Sequence, residues 1–332
     1  MSLNVYGAGN ALVDVQARVP DAFLEAVGYE KGVMTLVSDA AQAAVLGELA
    51  RFGDIQTSRC AGGSAANTIL GVAQLGGTAA YAGKVAGDGM GEFFAKDLAE
   101  AGVKLLCEAS PEGQTGTCAV LITEDAERTM LTNLAVSATL SADNLRAEDA
   151  AGADWAYVEG YLFGTEPNAS AARAVIKHAK AAGARVALTV SDPFLVAGHR
   201  LDFLELIGGP VDLLFCNLEE ARGLTGKEDP RECAAELSSM CERVALTMGA
   251  EGSLLAEPLE TVHVAGVPVQ AVDTTGAGDM YAAGILYGLT NGLSFEEAGR
   301  VASLAASRVV AQMGARLADP IPRADIDAAI AG

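Results

Sequence analysis

Hydrophobic and polar positions along this chain predict strands that alternate with amphipathic helices. Short apolar runs bounded by turn residues are typical of strands, and longer runs with apolar residues three or four positions apart are typical of helices. Such alternation builds βαβ units, in which helices cover both faces of a mostly parallel sheet. The predicted strands are Asn4–Gly9, Ala79–Val85, Trp155–Gly160, Arg185–Val190, Leu213–Asn217 and Val244–Met248. The predicted helices between them are Ala65–Leu75, Glu92–Ala101, Ala169–Ala182 and Arg231–Cys241.

Two neighbouring runs depart from this alternation. Thr117–Thr123 and Arg128–Leu134 are both strand-like, and only the polar residues 124–127 separate them, which predicts a β-hairpin. A doubly wound sheet does not require such a hairpin. Together with the strand-like runs Val13–Val19 and Gly32–Val37, it would form a small sheet over one end of the main sheet.

These patterns predict an α/β fold with three layers: a central, mostly parallel sheet flanked by helices, with a small β-sheet lid in addition. The lid is expected to be formed by residues 13–37 and 113–136. Two further helices, Asp279–Asn291 and Phe295–Gln312, are expected to close the chain. No repeat or long linker interrupts the sequence, so residues 1–332 are expected to form one domain.

The charge balance restricts the partners that we expect. The net charge is −21, with an isoelectric point near 4.4, so the surface disfavours nucleic acid and anionic membranes. Local backbone amides still allow an anionic nucleotide to bind. We expect small-molecule partners only, and a monomer or a homodimer.

Composition indicates a folded globular protein. Hydrophobic residues make up 51% of the chain, and the mean hydropathy is +0.28. The six cysteines include no C-x-x-C pair, which argues against a zinc site or a disulfide framework. No signal peptide and no apolar run long enough for a membrane span are evident, so a cytoplasmic location is expected.

A glycine-rich turn near the C-terminus decides the functional interpretation. The segment DTTGAGD, residues 273–279, runs into apolar residues at helical spacing, so this turn opens a helix. The amides of Gly276, Ala277 and Gly278 would form an anion hole at the positive end of the helix dipole. Asp279 would place a carboxylate beside it, which is what phosphoryl transfer to an alcohol requires. Taken alone, an aspartate here is also typical of an ordinary helix start.

A second glycine motif and the N-terminal strand supply candidate substrate ligands. In GGSAANT, the paired Gly62 and Gly63 let the backbone approach a ligand closely, and Asn67 offers both a donor and an acceptor. Asn10 and Asp14 follow the first strand, and a carboxylate there is suited to two vicinal hydroxyls of a sugar. In isolation, the glycine motif is equally typical of a turn before a packing helix, and a carboxylate at a strand end is more often a surface charge.

Both glycine motifs resemble signatures of the ribokinase-like, PfkB-type kinases. GGSAANT followed by a helix resembles the first signature, and DTTGAGDMYAAGIL resembles the second. Gly83–Gly91 resembles the segment after the second core strand of that family. Asn217–Glu220 resembles its N-x-x-E element, and Thr247–Gly252 resembles its T-x-G-x-x-G turn. The resemblance follows the family's order through nearly the whole chain, and it implies a ribokinase-like fold and an ATP-dependent, Mg²⁺-requiring kinase.

On the acceptor side, the resemblance implies a role for each matching residue. Asp279 would be the base, next to the three amides of the anion hole. Asp14, Gly63 and Asn67 would hold hydroxyls of the substrate, with assistance from Asn10. The lid would close over the reaction and exclude water.

On the nucleotide side, the resemblance implies contacts with ATP and with cations. Asn217 and Glu220 would organise Mg²⁺, with Glu220 acting through water. Asp273 and the carbonyl of Thr275 fall where many family members carry a monovalent cation such as K⁺. The residues that would contact ATP are Thr247, Gly249, Gly252 and Gly278.

Within the family, Cys118–Ala135 and the segments GNALVDV, EGYLF and SDPF most resemble the adenosine kinase branch. Arg128 would reach the transferred phosphate or hold the closed lid, although a solvated hairpin charge is an equally typical role. We predict phosphorylation of the 5′-hydroxyl of adenosine or a related ribonucleoside. The alternative is a free sugar such as ribose, fructose or a keto-deoxy sugar acid. The residues that would wall the base or sugar ring are Leu134, Phe163 and one of Met34 and Leu36.

Two other classes of protein fit the sequence less well. Gly7-Ala8-Gly9 follows a strand, as in a dinucleotide-binding fold, but Leu12 occupies the position that requires a small residue, and the next residues look extended. The P-loop pattern GxxxxGK[ST] is missing from the sequence. A sensor that binds ligand without catalysis is disfavoured because Asp279 and its glycine loop are intact.

Overall fold

A computed structural model describes residues 3–53, 55–125 and 127–332, and in these ranges the chain forms 14 strands and 11 α-helices. The strands are β1 (Leu3–Ala8), β2 (Leu12–Arg18), β3 (Met34–Leu36), β4 (Thr57–Gly62), β5 (Ala79–Ala82), β6 (Lys104–Leu105), β7 (Gly116–Ile122), β8 (Arg128–Asn133), β9 (Ala153–Glu159), β10 (Arg185–Thr189), β11 (Leu213–Asn217), β12 (Arg243–Thr247), β13 (Ser253–Glu257) and β14 (Glu260–Val264). The helices are α1 (Asp21–Val27), α2 (Asp39–Leu49), α3 (Ser64–Gln74), α4 (Gly89–Glu100), α5 (Glu166–Ala181), α6 (Pro193–Ile207), α7 (Leu218–Thr225), α8 (Pro230–Ser238), α9 (Ala277–Thr290), α10 (Phe295–Val310) and α11 (Arg323–Ala331).

The large sheet has nine strands in the order β14-β13-β12-β11-β10-β9-β1-β5-β6. All neighbouring strands from β12 to β6 in this order pair in parallel, and β13 pairs antiparallel with both of its neighbours, β12 and β14. The prediction of a mostly parallel sheet is confirmed. Residues 7–9 lead from β1 directly into β2 rather than into a helix, so the structural context of a dinucleotide-binding fingerprint is absent at this point.

Alternate side chains of the large sheet enter two separate hydrophobic layers. On β11, Leu213 and Phe215 pack with α3, α4, α9, α10 and α11, whereas Leu214 and Cys216 pack with α5 to α8. Both faces are covered because successive side chains of a strand point to opposite sides. The predicted three-layer arrangement is therefore confirmed. Within the described ranges, no helix is both long and apolar enough to cross a membrane.

The small sheet has five strands in the order β3-β8-β7-β2-β4. The predicted hairpin is present as the antiparallel pair β7 and β8, and β2 lies parallel to β7. One face of this sheet packs on α1 and α2 through residues such as Phe23 and Leu131. The opposite face carries Cys118, Val120 and Ile122. Strand β4 lies outside the ranges 13–37 and 113–136 that we predicted for the lid.

Candidate active site

The first turn of α9 carries Asp279, as the sequence pattern predicts. Gly276 precedes the helix with φ 73°, a left-handed conformation that glycine adopts without strain. A β-carbon at Gly276 would also lie 2.5 Å from the carbonyl oxygen of Ala315. The amide of Ala277 donates to the carbonyl of Thr274 at 3.2 Å, so this amide of the predicted anion hole is already engaged. Open space lies above Gly278.

Two residues of α3 hold the carboxylate of Asp279. Ser64 Oγ donates to Asp279 Oδ1 at 2.7 Å, and Asn67 Nδ2 donates to Oδ2 at 3.1 Å. Burial raises the pKa of Asp279 to about 6, although both hydrogen bonds act to lower it. A carboxylate with a pKa close to neutral is well suited to accept a proton at physiological pH.

Both glycines of GGSAANT are required, because a side chain at either position would collide with a neighbouring residue. A β-carbon at Gly62 would lie 2.4 Å from the carboxylate of Asp14, and one at Gly63 would lie 2.1 Å from the carbonyl of Asn10. Gly63 also has φ 99°. The turn therefore brings Asp14 of β2 against the start of α3. Burial raises the pKa of Asp14 to about 7, and the nearby positive charges of Arg316 and Arg128 act to lower it.

Asn10 is buried beneath this turn and is fully engaged with the protein. Its backbone amide and its Nδ2 donate to Glu159 Oε1 at 2.6 and 3.0 Å, and its Oδ1 accepts from Ser137 Oγ at 2.9 Å. Glu159 Oε2 also accepts from the amide of Ala65 at 2.7 Å. Burial raises the pKa of Glu159 to about 7. Asn10 thus supports the turn from below.

Arg128 and Asp273 form a buried ion pair, with side-chain exposures of 8% and 1%. The other contacts of Asp273 are the amide of Thr275, which donates to Oδ1 at 2.9 Å, and the amide of Gly314, which donates to Oδ2 at 2.7 Å. The guanidinium of Arg128 is the positively charged side chain that this carboxylate contacts. In the described part of the chain, Arg128 Nε and Nη1 lack a hydrogen-bond partner. Unpaired buried donors of this kind require an acceptor, and an anion is one group that satisfies them.

The predicted Mg²⁺ residues form the start of α7. Asn217 Oδ1 accepts from the amide of Glu220 at 2.9 Å, and Glu220 Oε2 accepts from the amide of Asn217 at 2.8 Å, which is a capping box. Burial raises the pKa of Glu220 to about 7. Among the described residues, no group of three or more acidic, histidine or cysteine side chains is arranged to hold a metal ion by itself.

One cleft of about 150 Å³ brings the two ends of the predicted site together. The residues that line it include Ser64, Asn217, Glu220, Thr247, Gly278 and Asp279. The N-terminus of α9 therefore faces the carboxyl ends of β11 and β12, where the Asn217 cap and Thr247 lie. Parallel sheets place their ligand sites at this edge.

A larger groove of about 560 Å³ lies away from Asp279, between residues 263–268, α10 and α11. Gly249 and Gly252 lie in the turn between β12 and β13. This turn contacts the groove, because a β-carbon at Gly252 would lie 2.5 Å from the amide of Gly266. The turn therefore joins the small cleft, at Thr247, to the larger groove.

The residues predicted to wall the base or sugar ring lie in different parts of the structure. Phe163 is buried in the helical layer between α5 and α6, with its ring 5.4 Å from that of Phe203, so it is a core residue and we withdraw it from the pocket. Leu134 follows β8 and is half-buried, and its role stays a prediction. Met34 and Leu36 lie on the same face of the small sheet as Met130 and Cys118, by strand register.

Sequence reasoning missed three residues that the structure places in the site. Ser64 lies within GGSAANT, and its position next to Gly63 is the signal that could have identified it. Glu159 lies in EGYLF, a segment that indicates a branch of the family but gives this residue no role. Arg316 donates to Asn67 Oδ1 at 3.4 Å from a loop 249 residues away, and no local pattern marks it.

A buried carboxylate in the first turn of a helix, in a cleft at the edge of a parallel sheet, is an arrangement suited to phosphoryl transfer to an alcohol. Residues 37–322 match the sequence profile of the pfkB family carbohydrate kinase. The chain belongs to this family.

Solved structures and curated relatives include both nucleoside and sugar kinases. The structure of adenosine kinase from Sinorhizobium meliloti is 39% identical, covers 99% of this chain and 100% of its own, and has a TM-score of 0.91. A probable sugar kinase from Rhizobium etli CFN 42 is 35% identical over 99% and 100%, with a TM-score of 0.92. Adenosine kinase 2 of Arabidopsis thaliana is 26% identical over 93% of this chain and 94% of its own. Fructokinase of Escherichia coli is 29% identical over 72% and 80%.

Proposed function

We propose that the protein transfers the γ-phosphoryl group of ATP to the 5′-hydroxyl of adenosine or a related ribonucleoside. The observation that carries this proposal is a carboxylate next to an apolar strip on one face of the small sheet. Asp14 of β2 pairs in register with Cys118 of β7, and the same face continues through Val120 and Ile122. Met130 and Met313 pack against this strip.

An apolar strip beside a carboxylate suits a nucleoside better than a free sugar. The ribose of a nucleoside presents two vicinal hydroxyls, which a carboxylate such as Asp14 accepts, and its base presents a flat apolar face. A hexose requires polar groups around most of its ring. The strip offers a thiol, two branched aliphatic side chains and two thioethers, and thioethers adapt readily to an aromatic ring.

In the proposed reaction, the carboxylate of Asp279 orients the 5′-hydroxyl and accepts its proton. The hydroxyl oxygen forms a bond to the γ-phosphorus, and the bond from that phosphorus to the bridging oxygen of ADP breaks, so ADP leaves with the electron pair. Ser64 and Asn67 hold the carboxylate in place, and the helix start at Gly278 stabilises charge on the transferred group. Arg128 Nε and Nη1 lack a partner in the described part of the chain, and the transferred phosphate is the acceptor that we assign to them.

Mg²⁺ fits the donor set of the cleft. Mg²⁺ in kinases is typically held by one or two carboxylates, water and the phosphates, and Glu220 is a carboxylate at the edge of the cleft. Glu220 would hold the ion through water because Asn217 already occupies its oxygens. The ion would supply positive charge to the phosphates. A K⁺ site at Asp273 and Thr275 would share the carboxylate of Asp273 with Arg128, whose guanidinium contacts its Oδ2.

We place the adenine of ATP in the larger groove beside the glycine turn. The turn of Gly249 and Gly252 connects Thr247 in the cleft with residues 263–268 of the groove. The apolar walls of the groove, such as Val267 and Leu304, are suited to a purine.

The relatives support the same acceptor. The adenosine kinases match the chain over nearly its whole length, whereas the fructokinases match it over about three quarters. A free sugar remains the second candidate, because the Rhizobium etli structure is described as a probable sugar kinase.

An acceptor panel tests the proposal. With Mg-ATP, we expect kcat/KM for adenosine to exceed that for fructose, ribose and inosine, by about 10²-fold over the free sugars, since a sugar leaves the apolar strip unfilled. ADP release measures the rate, and NMR of the product identifies the phosphorylated hydroxyl. Higher kcat/KM for a free sugar would reject the nucleoside assignment and leave the kinase assignment intact.

A variant of the strip gives a second test of the acceptor. Met130→Gln keeps the length of the side chain and adds a polar amide, so we expect KM for adenosine to rise about three- to tenfold with KM for ATP unchanged. Met240→Gln is the matched control, because Met240 is a partly buried methionine at the end of α8. An unchanged KM for adenosine would show that the strip does not contact the base.

The pKa of Asp279 predicts the pH dependence of turnover. Only the ionised carboxylate accepts a proton, so kcat is expected to be constant well above pH 6 and to fall about tenfold per pH unit well below it. Asp14 titrates nearby, but its charge state acts through acceptor binding and therefore appears in KM. The measurement is kcat from pH 4.5 to about 9 at saturating substrates. A kcat that stays constant down to pH 4.5 would argue against Asp279 as the base.

A further inference from the structure

Arg316 lies on the loop after α10 and makes three contacts that join separate parts of the site. Its Nη1 donates to Asp97 Oδ2 of α4, its Nη2 donates to the carbonyl of Ala61 on β4, and its Nε donates to Asn67 Oδ1 at 3.4 Å. Asp97 Oδ2 also accepts from the amide of Ala61 at 3.1 Å. The side chain of Arg316 is only 17% exposed.

The contact with Asn67 determines which way its amide group faces. An arginine side chain only donates hydrogen bonds, so the atom of Asn67 that faces Arg316 must be the oxygen. The nitrogen of Asn67 then faces Asp279 and donates to Oδ2 at 3.1 Å. With the amide reversed, an oxygen would face the carboxylate of Asp279 and the hydrogen bond to it would be lost.

We propose that Arg316 is a positioning residue for catalysis: by holding the oxygen of Asn67, it keeps the nitrogen of Asn67 on the carboxylate that accepts the proton. Asp97 anchors Arg316 in turn. This inference rests on the proposed function of Asp279 and deepens it. It assigns a role to the loop of residues 312–317, which no motif singled out.

The groups around Asp279 determine in which direction its pKa changes when the contact between Arg316 and Asn67 is lost. Asn67 and Ser64 on α3 lower the pKa of Asp279 by donating to it. Tyr157 and Glu159 at the end of β9 are also near Asp279. Loss of the donor from Asn67 therefore leaves the carboxylate with less stabilisation and raises its pKa.

Other ionisable groups face Arg316 itself. Asp14 on β2, Cys60 on β4 and Asp97 on α4 all lie near its guanidinium. Arg128 also lies near Asp14 and Cys60. Because Arg316 lowers the pKa of Asp14, its removal is also expected to weaken acceptor binding near neutral pH.

The test is the pH profile of kcat in Arg316→Gln and Arg316→Lys. We expect the acid limb of kcat in Arg316→Gln to move upward by about 0.5 to 1 pH unit, the equivalent of one lost hydrogen bond. We expect kcat at pH 6 to fall about two- to sixfold, with a smaller loss at pH 8. Arg316→Lys keeps a donor and a charge, so it is expected to restore part of the shift.

Arg243→Gln is the matched control. Arg243 is also an arginine with a largely buried side chain, 19% exposed, and it pairs with Glu242 and Glu257 at the opposite end of β12 from Thr247. A merely structural loss would lower stability in both variants without moving the acid limb. We expect Arg243→Gln to keep the acid limb of the wild type.

Asp97→Asn keeps Arg316 but weakens its contact with residue 97. This variant replaces Arg316→Gln in the test if Arg316→Gln does not fold. We expect a smaller shift in the same direction. An acid limb identical to that of the wild type in Asp97→Asn and in every Arg316 variant that folds would overturn the inference. Asp279→Asn separates the two hypotheses: if that variant keeps its turnover, the proposed function fails, whereas an inactive Asp279→Asn with unshifted Arg316 variants rejects the role of Arg316 alone.

Discussion

Asp279→Asn is expected to lower kcat by about 10²-fold or more, the scale of losses when a general base is removed. Asparagine has nearly the same shape as aspartate, but its amide does not accept a proton at neutral pH. Because burial already disfavours the charged form of Asp279, the neutral side chain is expected to leave the melting temperature unchanged or raise it. Steady-state kinetics, with thermal melting of the same preparation, measures both quantities.

A control at a comparable position accompanies this variant. Glu166→Gln removes an exposed acidic side chain from the first turn of α5, outside the cleft, so it changes a helix start without touching the site. We expect wild-type kcat from this control. Near-normal turnover by Asp279→Asn, with ATP as the donor, would refute its role as the base.

Asp14→Ala is expected to raise the KM for the acceptor by about 10²-fold with a much smaller change in the KM for ATP. Hydrogen bonds to a charged group are each worth about 1.5 to 3 kcal/mol, and Asp14 is placed to accept from two hydroxyls. Alanine also removes the charge that lies between Arg128 and Arg316. Initial rates with each substrate varied in turn separate the two KM values.

Asp14→Asn refines this test. Asparagine keeps one oxygen acceptor against Gly62 and loses the negative charge, so it is expected to give an intermediate KM for the acceptor. Equal increases in both KM values for Asp14→Ala would show a general disturbance of the site rather than loss of hydroxyl binding.

Most of the large sheet is predictable from sequence because its strands are buried on both faces. The range Leu213–Asn217 is predicted with both of its ends, and the other predicted strands overlap the observed ones closely. Strand β4 was missed for a physical reason: its first three residues are exposed and polar, as is common in an edge strand. Strands β6, β13 and β14 are short or lie in the hairpins beside the parallel strands.

In the site, too, the features that lie within a local motif are predictable, and the contacts between residues far apart in the sequence are not. The glycine turn before Asp279 is a local motif, so the start of α9 can be predicted from sequence alone. The pairing of Arg128 with Asp273 joins positions 145 apart, and the contact of Arg316 with Asn67 joins positions 249 apart. No spacing rule relates such residues, because the fold alone brings them together. Phe163 shows a different error. It lies within a segment that resembles the family, so it was predicted to wall the pocket, but its side chain is buried in the core.

The contacts around Glu159 restrict how the small sheet can move relative to the large one. The chain passes between the two sheets four times, and three of these passages contact one another around its carboxylate, through Asn10, Ala65 and the Ser137 that holds Asn10. A rigid rotation of the small sheet that keeps these contacts would have its axis close to Glu159. Asp14 lies only four residues from Asn10, so an acceptor held there would travel little, while the distant tip of the β7–β8 hairpin would sweep the longest arc.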